Sequence, residues 1–208
     1  MKKSLAAMLV PVLVLLLTAC GRINGGGYDA KPVIYLYPEE EIQVSVTLDY
    51  KGELTSTYPA YEGGGIVTAR PGGALMDETG REYYCLFWEG ESDIKYDLSR
   101  GFVVSGRETK TFLEESLATL GLTDKEANEF IIYWLPRMEG NPYNLSSFQN
   151  EIYAENAKLN IDPAPDSVLR VFMAWKGLDK AIVVEEQVLE SFERTGFTVV
   201  EWGGCEVN

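Results

Sequence analysis

Ser167-Val-Leu-Arg-Val-Phe-Met-Ala-Trp175 is a run of strand-forming side chains that is apolar on both sides but for one charge. Successive side chains of a strand alternate between faces, so Leu169, Val171, Met173 and Trp175 share one side and Val168, Arg170, Phe172 and Ala174 the other. Such a strand must be covered by a layer on each face. A guanidinium in that position needs a carboxylate or a ring of carbonyls. Glu201, between Val200 and Trp202, and Glu89, directly after Trp88, are the partners expected by type. Arg170 then forms a structural ion pair, reaches solvent along its stem, or grips a ligand beside Trp88.

The rest of the chain supplies the layers. Ile42, Val44, Val46, Leu48 and Tyr50 alternate with Gln43, Ser45, Thr47 and Asp49, the pattern of a half-buried strand. Lys51-Gly52 reads as a turn into a strand over 53–58, and glycine-rich turns at 63–65 and 71–73 bracket another over 66–69. Tyr83–Trp88 is apolar on both faces, as a central strand should be. Thr111 with Glu114 fits a capping box, Phe112, Leu113, Leu117 and Leu120 form a stripe, and Gly121 supplies the stop, with Leu122 placed to pack back. Thr123 with Glu126 begins a second helix, carried by Ala127, Phe130, Ile131 and Trp134 and closed by Pro136. Strands are then expected at Ser147–Tyr153, Ser167–Trp175, Ile182–Val184 and Phe197–Trp202, with a loop at 162–165. The fold class is α+β: a mainly antiparallel sheet, or a sandwich, with an αα-hairpin inserted at about 111–136.

The N-terminus reads as an address. Lys2 and Lys3 precede an uncharged apolar run, Leu5–Leu17, interrupted by Pro11, that is short for a membrane span. It ends in Leu17-Thr18-Ala19-Cys20, which resembles a bacterial lipobox, the resemblance implying cleavage after residue 19 and lipidation of Cys20. Residues 20–30 would be the lipidated cysteine and a glycine-rich tether, and 31–208 one domain. The implied partner is the membrane through that anchor, and the implied location is the bacterial envelope, outside the cytoplasm.

Composition narrows the chemistry. The 208 residues include no histidine, which excludes Ser-His-Asp and Cys-His catalysis and His-ligated metals. There are 18 Lys and Arg against 32 Asp and Glu, a net charge of -14; loss of Lys2 and Lys3 would deepen it. Such a surface argues against nucleic acid as a partner. An exported compartment permits a bridge between Cys85 and Cys205, and two free buried thiols are the alternative. No Gly-x-Ser-x-Gly elbow, phosphate loop or EF-hand loop occurs, so no cofactor or metal is expected.

Four blocks carry a wider resemblance: Lys31–Pro38 (KPVIYLYP), Lys125–Arg137 (KEANEFIIYWLPR), Asp166–Trp175 (DSVLRVFMAW) and Phe192–Gly204 (FERTGFTVVEWGG). They resemble a family of largely uncharacterised proteins, many of them bacterial and exported. The resemblance implies a single domain over the mature chain and brings no activity, ligand or catalytic residue with it.

Two functional readings follow. Tyr35, Tyr37, Tyr58, Tyr61, Tyr83, Tyr84 and Trp88 crowd the first β region, and exposed aromatic platforms stack on sugar rings. With the anchor and the lack of a catalytic constellation, they point to a non-enzymatic, surface-tethered module binding an envelope glycan, peptide or protein. The alternative is a hydrolase of cell-wall or extracellular polymer using two carboxylates, drawn from Glu39–Glu41, Glu114, Glu115, Glu185, Glu186, Glu89, Asp93 and Asp97.

Overall fold

The structure is a computed structural model and describes residues 27–61 and 63–207. The expected signal peptide, the lipobox at Cys20 and the tether as far as residue 26 lie outside the described residues. In chain order come strands β1 (Gly27–Tyr37), β2 (Ile42–Tyr50), β3 (Glu53–Tyr58), β4 (Gly65–Ala69), β5 (Leu75–Met76), β6 (Glu82–Tyr83), β7 (Leu86–Ser92) and β8 (Phe102–Ser105). Helices α1 (Thr109–Thr119) and α2 (Asp124–Met138) follow, then β9 (Tyr143–Phe148), α3 (Asn150–Asn156), β10 (Ala157–Asp162), β11 (Ser167–Leu178) and β12 (Thr198–Glu206).

These elements build three layers. A seven-stranded sheet runs β3-β7-β1-β12-β11-β9-β8, and a five-stranded sheet runs β10-β2-β4-β5-β6. Leu169, Val171, Met173 and Trp175 of β11 pack with Leu113, Leu117, Phe130 and Trp134 of the two long helices. Phe172 and Ala174, on the opposite face, pack with Val44, Val46 and Val67 of the small sheet. The covered strand thus obtains its two layers, and the class is α+β with mainly antiparallel sheets arranged as a sandwich.

β11 and β12 are the parallel exception. Parallel neighbours need a long crossover, commonly a helix. Here residues 179–197 make it as an extended strap. Leu189 and Phe192 of the strap pack on the helical core, and Arg194 is bonded to Glu126 of α2 at 2.5 Å. The strand expected at Ile182–Val184 is therefore corrected: the described pairing there is a single bridge between Arg100 and Glu185, and Val183 is fully exposed.

The αα-hairpin stands between 109 and 138, with its turn built as expected. Gly121 has φ +97°, its N–H reaches the Ala118 carbonyl at 3.1 Å, and the Leu122 N–H reaches Leu117 at 3.0 Å. Thr123 and Glu126 form a reciprocal capping box. Two details differ. α1 begins two residues before Thr111, behind a 3-10 turn at Gly106–Glu108. Buried Thr109 anchors it, donating to the Ser105 carbonyl at 3.1 Å and accepting from the Asn144 amide at 3.0 Å. Pro136 lies inside the last turn of α2 rather than closing it; the carbonyl it leaves free belongs to Ile132, 74% exposed and open to water.

Further corrections concern the strands. Ser147–Tyr153 is not one strand: β9 ends at Phe148 and α3 occupies the remainder, burying Tyr153 completely. The Tyr83–Trp88 run is divided, with Tyr83 in the small sheet and Leu86 onward in the large one. Lys51-Gly52 does not close a hairpin but passes the chain from the small sheet to the large one. Finally, β1 begins at Gly27, so the segment assigned to the tether enters the sheet earlier than Lys31.

Candidate functional site

Arg170 and Glu201 occupy matching positions on β11 and β12, both facing the space between the sheets. The Arg170 Nε donates to Glu201 Oε2 at 2.6 Å, with Nη2 at 2.5 Å from the same oxygen. Trp88 donates its Nε1–H to the other carboxylate oxygen at 3.0 Å, and the Arg170 guanidinium lies 4.6 Å from the Tyr153 ring. Three of the expected residues, Arg170, Glu201 and Trp88, are thus in one network. Glu89 is on the opposite face of the sheet, where it accepts from the Tyr28 hydroxyl at 2.5 Å and the Lys31 N–H at 3.2 Å. The Arg170 side chain is 10% exposed and that of Glu201 0%, so this pair lies in the core.

A second acid joins this layer from the segment expected to be the tether. Asp29 is buried and accepts from Tyr50 Oη at 2.8 Å and Tyr96 Oη at 3.0 Å. Burial pushes its carboxyl up to about 6; the two tyrosine hydroxyls oppose that and the charge of Glu201 adds to it. The signal for Asp29 was faint, because an acid beside a glycine run looks like a solvated linker.

The cysteines are both free and buried. Cys85 packs in the core under the helices and Cys205 in the core between the sheets, on opposite sides of the large sheet. The bridge left open by the sequence does not form. Burial pushes the Cys85 thiol up to about 11 and Cys205 in the same direction, so neither is an activated nucleophile.

Among the accessible hollows of the described residues is an apolar-walled crevice of about 390 Å³ where the two sheets part. Val46, Leu48 and Ile66 wall it on the small-sheet side, and Leu54, Leu86 and Trp88 on the other. Tyr61 spans the gap. Its N–H is held by Thr57 Oγ1 at 3.1 Å, and its hydroxyl accepts from the Leu48 N–H at 2.9 Å, serving a strand edge that β4 does not reach. At the mouth, Tyr58 is half exposed and sits edge-on to Tyr83 at 5.5 Å, with its hydroxyl held by Arg81 at 2.8 Å. Asp77 fixes the neighbouring turn, accepting from Thr79 Oγ1 at 2.6 Å, the Thr79 and Arg81 N–H groups, and Tyr83 Oη at 2.8 Å. Those bonds, the Thr79 hydroxyl first, draw its carboxyl down to about 2.

The aromatic cluster is therefore divided by the fold. Tyr58, Tyr61 and Trp88 line the crevice, whereas Tyr35 is buried against the helices with its hydroxyl on Glu129 at 2.7 Å. Tyr37 stacks beside Tyr35 with centroids 6.1 Å apart. Among the described residues no group of three or more Cys, Asp and Glu side chains is placed to hold a metal ion.

No family model and no solved structure matches the chain. It is 38% identical over 95 residues to an uncharacterised protein in the bglA 3′ region of Butyrivibrio fibrisolvens, an alignment covering 43% of this chain and 98% of that one. The chain belongs to the family of that protein. The relative assigns no ligand or reaction, so the functional argument rests on the crevice.

Proposed function

We propose that this chain is a lipid-anchored, extracytoplasmic binding module whose ligand site is the crevice between the sheets. The observation that carries the reading is the cavity itself: about 390 Å³, apolar-walled, with Tyr58 and Tyr61 at its mouth. Its size lies within the range of small-ligand sites, about 300–1,000 Å³. The lipobox supports the location, and the acidic surface would hold the domain off an anionic bilayer. An envelope glycan, peptide or protein segment is the ligand class in view.

A hydrolase would need two free carboxylates facing each other across the cleft. Among the described residues the acids lining this one, Asp77 and Glu78, are consecutive in the chain, and Asp77 is committed to its turn. That supports binding over turnover. The test is a thermal-shift panel of envelope glycans and wall peptides on the full chain and on Ile66→Trp, which fills the mouth from an exposed position. A ligand at about 100 times its Kd adds about 2.7 kcal/mol of stability. A shift seen with the native protein and lost in Ile66→Trp supports the reading; turnover of any polymer in the panel defeats it.

A further inference from the structure

A second cavity, of about 420 Å³, opens on the helix side of the large sheet beside the first. Tyr58 and Phe87 line both cavities and are direct cross-strand partners at the end of β3. The two hollows therefore share two lining residues at the β3 edge of the large sheet. The charged groups they leave without an ion-pair partner are opposite in sign. Glu78 lines the crevice, and among the described residues no cation lies within ion-pair distance of it. Lys31 lines the second cavity, and among the described residues its ammonium faces no carboxylate at that distance. It lies instead 5.4 Å from the Phe87 ring and 5.9 Å from Tyr133. Glu82, also on the second cavity, is already paired with Arg70 at 3.2 Å. Arg81 holds the Tyr58 hydroxyl from outside.

The backbone at Lys31 is itself unusual. Its φ is +60°, in the left-handed region that a lysine enters only under strain, and Pro32 follows it. The register of β1 shifts here against β7 and β12 alike, a bulge within a sheet rather than at its edge. Bulges re-aim side chains and are common beside functional sites.

We propose, resting on the binding-module reading, that the two cavities are the ends of one groove for a short peptide with free termini. Its ammonium lies at Glu78, its apolar side chain against Leu54 and Ile66, and its carboxylate at Lys31, with the backbone crossing Tyr58. An anionic lipid or phosphate would meet Glu78 and the acidic turn, and an uncharged glycan would leave both charges unmatched.

The experiment is calorimetric titration of the full chain with four forms of tri-leucine: free, N-acetylated, C-amidated and blocked at both ends. The free form should bind about five- to tenfold more tightly than either singly blocked form, the scale of one matched charge at a partly exposed site. In Lys31→Asn, a residue that tolerates positive φ, the free and amidated forms should bind alike while the preference for a free amine persists. Glu78→Gln should do the reverse. Equal binding of all four peptides would overturn the inference and leave the binding module standing. Silence from all four, with a glycan binding in the crevice, would also overturn it. Silence from peptides and glycans together would remove both readings.

Discussion

The carboxamide of Gln187 bonds both backbone polar groups of Phe148, accepting from its N–H at 2.8 Å and donating to its carbonyl at 3.1 Å. Phe148 is the last residue of β9, and β8 pairs with β9 only as far as Ser146. The strap thus supplies from one side chain what the neighbouring strand would have given, and the sheet edge is closed. Gln187→Ala should cost about 1–2 kcal/mol, the scale of two partly exposed hydrogen bonds left to water. Gln187→Glu should cost more, since a carboxylate oxygen would face the Phe148 carbonyl. Denaturant midpoints at unchanged slope would measure both.

Arg170 and Glu201 form a pair whose members cannot be removed singly. Arg170→Met leaves a buried carboxylate with Trp88 as its remaining donor, and about 3–5 kcal/mol should be lost. Arg170→Met combined with Glu201→Leu should recover most of that, because no lone charge remains. A double-mutant cycle in urea reads the coupling. Loss of ligand binding in Arg170→Met at unchanged melting temperature would show instead that the guanidinium belongs to the binding site.

Asp29 makes stability depend on pH in an unusual direction. Its carboxyl is raised in the folded state, so folding strengthens proton binding. The contribution is present in full below the ordinary carboxylate value near 4 and is lost as pH rises through about 6. A shift of roughly two units corresponds to about 3 kcal/mol. Glu126 acts the other way. Burial raises its carboxyl, but Arg194 and the Thr123 N–H outweigh that and hold it below its ordinary value, so its contribution is present at higher pH and lost on acidification. Asp29→Asn should flatten the stability gained between pH 7 and pH 5 and leave the acid-side loss unchanged, as chemical denaturation across that range would show.

Thiol counting tests the cysteines and the lipobox together. With Cys20 converted to a thioether, the mature chain should react with a thiol reagent at two sites in denaturant, Cys85 and Cys205, and at neither when folded. Three reactive thiols would mean that Cys20 is not lipidated; none would mean that the two buried cysteines had been oxidised to each other.

What could be read in advance follows from how local each signal is. The alternation from Ile42 to Tyr50, the double-faced run after Ser167 and the Thr123–Glu126 box each depend on neighbours within a few residues, and those elements are where the pattern puts them. Ser147–Tyr153 misled because Tyr153 and Ile152 are good strand formers drawn into a short helix by packing; Tyr153 stacks on Phe172 at 4.1 Å. Lys51-Gly52 has the composition of a hairpin turn, yet the chain changes sheets there: a Cβ on Gly52 would lie 2.4 Å from the Glu91 carbonyl. The crevice was beyond reach for the same reason. Its walls come from both sheets and a loop, and no stretch of sequence records which of them end side by side.

The first described strand has a mechanical meaning as well. β1 lies inside the large sheet, bonded to β7 on one side and to β12 on the other, and everything before Gly27 is attached to its leading end. A pull from that direction runs along the strand and loads both ladders in shear, so many hydrogen bonds share the force at once. An edge strand pulled across its ladder would open bond by bond. A load entering at Gly27 is therefore carried by two ladders together.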